Sequence, residues 1–249
     1  MLKTETRTAA RTLDVFEAFS ASREPLSMSE LSRAISIPVS SCHALVKTLQ
    51  ARGYIYVTGS RRRLYPTKQI LNIARAIAEH DPLLERVLPV LSRVRDDTGE
   101  TVILGKQQND AVVYLEVIEG LQTVRNTARA GEYKPLHSSA IGKALLSRLD
   151  GKTLVDILRT RKLPAITSAT ITDPKRLRAD LRIGQKRGYF LTRGENVPDV
   201  MAIAIHVVVG EEPLGIAVAG PLQRMEANHS RYADCLTRAG RTLATNGEA

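Results

Sequence analysis

The chain has little cysteine, no long apolar run and no tract of biased composition. Only Cys42 and Cys235 are present among 249 residues. Two cysteines so far apart give neither a disulfide framework nor metal-ligand spacing, and no His/Cys/carboxylate cluster makes up the difference. No apolar stretch approaches the ~20 residues of a membrane-spanning helix. The first eleven residues, Met1 to Arg11, are charged and polar rather than signal-like, so a cytoplasmic location is expected. Internal repeats and Pro/Gly/Ser-rich stretches are missing, which argues against disorder. The catalytic motifs are missing too. Gly142-Lys143 is followed by Ala144 and lacks the upstream glycine of a phosphate-binding loop. No Gly-x-Ser-x-Gly elbow occurs. His206 lies in an apolar stretch and reads as a core histidine. An enzyme is therefore not expected, and neither a metal nor a cofactor.

What is present begins with charge. The net charge is +10, with 43% hydrophobic and 25% charged residues. Its placement is uneven. Residues 1–80 hold 12 Lys+Arg against 6 Asp+Glu, and the remaining 169 hold 24 against 20. The basic excess per residue is about threefold higher in the first third, as expected of a phosphate-binding head on a body with other work.

The head has a readable order. Thr8 to Phe19 carries Leu13, Val15, Phe16 and Phe19 near helical spacing. Ser27-Met28-Ser29-Glu30 is a capping box that starts a short helix burying Leu31. After Ile35 to Pro38, Pro38 suits the first position of a further helix. That helix places Leu45, Val46 and Leu49 on one face and stops at Gly53. A hairpin follows: Tyr54 to Thr58, a turn at Gly59 to Arg62, and a return through Arg63 to Tyr65. Helix, short helix, tight turn, helix and hairpin is the order of a winged helix-turn-helix, whose second motif helix enters the major groove. Ser27 and Ser29, which precede and open the short helix, are candidate DNA contacts. Ser40 and Ser41 at the start of the reading helix can approach phosphates and base edges, and His43 and Lys47 share a face at i, i+4. Arg61, Arg62 and Arg63 crowd the hairpin tip and invite an anion. Plain capping would explain the serines, and a solvated turn the arginines.

Thr67 to Glu79 reads as a connecting helix, and Pro82 to Thr98 as another, closed by Gly99. The period then changes. Strands are expected at Thr101 to Lys106, Ala111 to Ile118, Gln122 to Thr127, Tyr189 to Thr192, Ala202 to Val209 and Leu214 to Ala219. Helices are expected at Ser139 to Arg148, Thr153 to Thr160, Asp173 to Lys186 and Met225 to Leu243. The mixture predicts an α+β domain with an antiparallel or mixed sheet.

The sequence resembles the IclR family of bacterial transcription regulators from Arg11 to about Arg224. In the head the resemblance rests on Pro25 to Leu31, on Ser40 to Leu49 and on Gly53-Tyr54. Beyond it, Pro135 to Leu146 is the clearest stretch, with Thr98 to Val102, Arg187 to Tyr189 and Ala219 to Pro221 in matching order. The resemblance implies a winged helix-turn-helix over 1–66, a linker helix over 67–80 and a GAF-like effector-binding domain with a mostly antiparallel sheet over 81–249. It implies double-stranded operator DNA and a small organic acid, possibly aromatic, as partners, and a homodimer or homotetramer. By position it places Thr123, Asn126, Ala140, Ile141, Val200, Ala202, Ala217 and Ala219 around the effector, with backbone amides before Ala140 to take a carboxylate. The sequence departs from the family's habit at Ala44, usually arginine, at Gly194-Glu195, often paired acids, and at His206, usually proline. Lys143 reads as a structural lysine. An alternative is a sequence-independent architectural DNA binder, against which the near-neutral second domain argues. A third, a GAF-like module without DNA binding, is opposed by the wing arginines and Ser40-Ser41.

Overall fold

The computed structural model describes residues 6–60 and 62–245. It divides between Asp81 and Pro82 into two compact units.

In the first unit, α1 (Arg7–Ser22) buries Val15 and Phe19 while leaving Leu13 in solvent. The capping box forms: the Glu30 amide donates to the Ser27 hydroxyl, and the Ser27 amide to the Glu30 carboxylate. It starts α2 (Met28–Ala34) at Met28. Pro38 stands at the N-cap of α3 (Val39–Ala51), one residue earlier than expected. Cys42, Val46 and Leu49 face inward, with Leu45 beside them. Gly53 adopts φ +76°, a left-handed conformation that ends the helix cheaply only in glycine. The wing pairs β1 (Ile55–Thr58) antiparallel with β2 (Arg63–Pro66). Leu64 also bridges to Leu26, which sews the wing to the approach of α2. α4 (Gln69–Ala78) follows; among its residues none is buried.

The second unit contains α5 (Pro82–Thr98), β3 (Thr101–Gln108), β4 (Ala111–Ile118), β5 (Tyr133–Pro135), α6 (Ala140–Leu146), α7 (Gly151–Thr160), α8 (Pro174–Arg187), β6 (Phe190–Arg193), β7 (Val200–Val209), β8 (Glu212–Pro221) and α9 (Leu222–Thr245). The six strands form one antiparallel sheet in the order β5-β4-β3-β8-β7-β6. Alternate residues point to opposite faces. Val102, Leu104, Met201, Ile203, Ile216 and Val218 pack with Leu91 of α5 and Leu236 of α9. Their neighbours Ile103, Ala204, Ala217 and Ala219 face α6, α7 and α8. On that side the Ile141 side chain lies over Gly215, whose added Cβ would come within 2.5 Å of it, and Gly142 sits so close to the Leu136 backbone that a Cβ would meet its carbonyl at 2.2 Å.

Two expectations for this unit need correction. Gln122 to Thr127 is irregular and not a strand. Its backbone is held by other means. The Leu121 amide donates to the Gly99 carbonyl, the Thr101 hydroxyl donates to the Asn126 carbonyl at 2.6 Å, and Arg224 donates to the Val124 carbonyl at 2.8 Å. Two carbonyls of the segment, those of Val124 and Asn126, are thus taken by side chains rather than by a neighbouring strand. The strand that does pair with β4 is the short β5. His206 is only half-buried in β7, so it is no core residue; burial lowers its pKa.

Candidate DNA-reading face and effector cavity

The α3 residues divide cleanly. Ser40, His43 and Lys47 are exposed on the side opposite Cys42, Val46 and Leu49, and Ser41 is half-buried at the edge. No side chain caps α3, so capping is not what the two serines do there. Ser29 is exposed. Ser27 is half-buried, with its hydroxyl engaged in the capping box.

Arg62 and Arg63 of the wing are not equivalent. Arg61 lies outside the described residues. Arg62 is exposed at the turn with φ +49°. Arg63 is turned inward: its guanidinium pairs with the Glu30 carboxylate at 3.0 and 3.3 Å and donates to the Pro25 carbonyl at 2.7 Å. The Ser27 amide and hydroxyl, with Arg63 contributing, hold the Glu30 carboxyl below its usual range. Arg63, expected at the DNA, thus clamps the wing to the start of α2. Its partner lies 33 residues away, a distance over which no local pattern operates.

In the second unit, Asn126, Ala140, Ile141, Val200, Ala202, Ala217 and Ala219 line one cavity of about 60 Å³. Thr123 is the exception: it is exposed and outside the cavity, because the segment carrying it is a loop and not the strand the positional transfer assumed. The alanines of β7 and β8 leave the space open, since larger residues would fill it. The cavity also takes in polar residues that the sequence reading missed, among them Tyr114, Lys134, Ser138, Thr192 and Asn196. Asn196 donates to the Ser138 carbonyl and hydroxyl at 3.2 and 3.1 Å. Lys134 pairs with Glu132 at 3.0 Å and stands 5.9 Å over the Tyr114 ring. Burial, reinforced by the Glu132 charge, pushes the Tyr114 phenol up, so it stays a donor. Ser138, next to the Gly142-Lys143 stretch, was within reach of a sequence argument; Asn196, on a loop distant in sequence, was not. The amide-rich start of α6 offers less than expected. This helix is one of seven residues, and the Ser139 hydroxyl already accepts from the Gly142 amide.

Below the cavity Lys143 is fully buried. Its ammonium donates to Glu195 at 2.6 Å and to the Leu191 carbonyl at 3.3 Å, and pairs with Asp180 at 2.7 Å. Burial raises the Glu195 carboxyl, and the adjacent ammonium opposes that rise. The network joins α6, which carries Ala140 and Ile141, to the loop that carries Asn196. All of these Lys143 partners are groups of the protein itself. Among the described residues no group of His, Cys, Asp or Glu has metal-binding geometry, and no helix is long and apolar enough to cross a membrane.

Comparison with known proteins agrees with this architecture. The IclR helix-turn-helix domain matches residues 8–59, and the bacterial transcriptional regulator IclR C-terminal domain matches residues 75–245. The HTH-type transcriptional regulator BhcR of Paracoccus denitrificans is 33% identical over 96% of this chain and 86% of its own length. The transcriptional repressor IclR of Escherichia coli is 26% identical over 89% of this chain and 82% of its own. Among solved structures, the IclR protein of Thermotoga maritima superposes with a TM-score of 0.83 at 22% identity, covering 98% of this chain and all of that one (100%). An IclR homologue from Microbacterium hydrocarbonoxydans complexed with 4-hydroxybenzoate superposes with a TM-score of 0.76 at 23% identity, covering 96% of this chain and 98% of that one. The chain belongs to the IclR family of bacterial transcriptional regulators, proteins that bind DNA rather than catalyse a reaction.

Proposed function

We propose that this regulator binds operator DNA through α3 and the wing of a head spanning residues 1–66, that 67–80 link it to an effector domain over 81–249, and that a small organic acid in the cavity sets its DNA affinity. It works on DNA in the cytoplasm as a dimer or tetramer. The observation that carries the effector assignment is convergence: seven residues chosen by position surround one cavity, and its polar groups suit a carboxylate. Lys134 supplies the positive charge. Ser138, Tyr114 and Thr192 supply hydroxyls, and Asn126 a carboxamide. The volume favours a short acid. About 60 Å³ holds a few water-sized groups, far less than the roughly 300–1,000 Å³ of sites for drug-sized molecules. The 4-hydroxybenzoate of the Microbacterium homologue shares the carboxylate but would need the cavity to widen.

Calorimetric titration with a panel of two- to four-carbon and aromatic carboxylic acids tests this reading. A short acid should bind, Ala219→Leu should abolish binding, and Asn126→Ala should weaken it by about 1–3 kcal/mol. If an acid binds and both variants bind it like wild type, the cavity is not the effector site.

The DNA side has its own measurement. Arg62→Ala should lower the log–log salt slope of operator binding by about 0.9, one phosphate contact. Arg63→Ala should instead loosen the wing. The pair is 36% exposed on both sides, so solvent screens it and the denaturant midpoint of Arg63→Ala should move little. Equal salt slopes for wild type and Arg62→Ala would remove Arg62 from the interface.

Assembly rests on exposed apolar surface. Ile77 is 68% and Leu13 61% exposed, with Ile70, Leu71 and Ile73 also in solvent along α4. Two heads are needed to read a palindrome, and α4 is the face that can join them. Light scattering that finds a monomer at micromolar concentration would refute this.

A further inference from the structure

The first ten residues of α3, Val39 to Thr48, include no Arg, Asn, Gln, Asp or Glu. Of the side chains that recognise guanine, adenine and cytosine edges by hydrogen bonding in the major groove, the stretch keeps only Lys47, besides the hydroxyls of Ser40, Ser41 and Thr48. Yet the helix presents a definite outward face. Val39, His43 and Lys47 form one exposed row at i, i+4 spacing, and Ser40 and Ala44 form the row beside it. Val39, the residue that opens the helix, is 50% exposed. A single exposed valine is ordinary. Of these five outward residues two, Val39 and Ala44, are apolar and can make no hydrogen bond to a base edge. The base-edge feature that an apolar side chain reads is the C5 methyl of thymine.

We infer that α3 reads its operator largely through thymine methyl groups, with Val39 and Ala44 as the specificity-determining contacts and His43 between them as a hydrogen-bonding group. The inference rests on the assignment of α3 to the major groove. Val39 and Ala44 are five residues apart, about 7.5 Å along the helix axis at 1.5 Å per residue. Laid along the groove, that is roughly two base-pair steps at about 3.4 Å each. Each half-site therefore carries two thymines about two base pairs apart. Lys47 and Arg62 add phosphate contacts that hold register without choosing sequence.

The test uses duplexes selected by the full-length protein from a random-sequence pool. Each thymine of a selected duplex is replaced singly by deoxyuridine, which removes only the methyl, and binding is followed by fluorescence anisotropy. Two substitutions per half-site should each weaken binding about fourfold, the worth of one methyl withdrawn from water. Val39→Ser should erase one of these penalties and Ala44→Ser the other. Both positions are on the surface, so both variants fold. Uracil duplexes that all bind within twofold of the parent overturn the inference, as do penalties unchanged in both variants. A pool that yields no sequence-selective duplex overturns the assignment of α3 to the groove, and the methyl reading with it.

Discussion

The two faces of the six-stranded sheet are built from the same strands and do different work. Along β7, Met201, Ile203 and Ile205 point to α5 and α9, whereas Ala202 and Ala204 between them point to α6. Along β8, Ile216 and Val218 alternate with Ala217 and Ala219 in the same way. One face is filled with branched aliphatics and interlocks like other protein interiors. The other keeps small residues and thereby an open space. Residues one apart in sequence thus fall into a tightly packed set and a cavity-facing set, separated only by the period of the strand.

The largest test of that division lies at Lys143, under the open face. Lys143→Met would leave Glu195 buried without its cation. Unfolding in denaturant should show a loss of about 3–5 kcal/mol, the usual result of breaking a buried pair from one side. A loss under 1 kcal/mol would mean that the ammonium does not support the cavity floor.

Next comes the contrast within β8. Ile216→Ala, on the packed face, should cost about 2–5 kcal/mol of stability while the effector still binds to folded protein. Ala217→Leu, one residue on, should overfill the open face for about 1–3 kcal/mol and abolish effector binding. Denaturant midpoints and titrations on the two variants together make the comparison. If both lose the same property, the faces are not functionally distinct.

The smallest effect is in pH. Burial raises the Glu195 carboxyl from its usual 4.5, so the native state holds this proton at pH values where the unfolded chain has released it. The sign follows from linkage: stability falls as pH rises from about 4.5 through the raised value. Glu195→Gln should flatten that part of the pH–stability curve. A curve that keeps its slope in Glu195→Gln would locate the titration elsewhere.

Much of this was legible in the sequence because its signals are local. Ser27 and Glu30 name a helix start within four residues. Asp173-Pro174 names another, and the Asp173 carboxylate does accept from the Arg176 amide at 2.7 Å. The alternation of β7 and β8 can be read directly, as can the hairpin turn. The cavity alanines were accessible through resemblance, because the family's strand positions carry over where the strands do. Thr123 shows the limit: apolar and β-branched residues in Gln122 to Val124 read as strand, but pairing is decided by whether another strand offers partners, and here β4 pairs with the short β5 instead.

By itself, then, the sequence determined the helix starts, the strand period, the basic head and the family. Each depends on residues within a turn or two of one another, or on the summed order of short stretches. The tertiary structure decided which arginine of the wing faces outward, where the chain between β4 and β5 hangs, and which polar groups meet at the cavity. The bonds responsible span 33 residues from Arg63 to Glu30, 25 from Thr101 to Asn126, 58 from Asn196 to Ser138 and 100 from Arg224 to Val124. A hydrogen bond over such a separation depends on how close the folded chain brings its two groups, and no periodicity in the sequence encodes that distance.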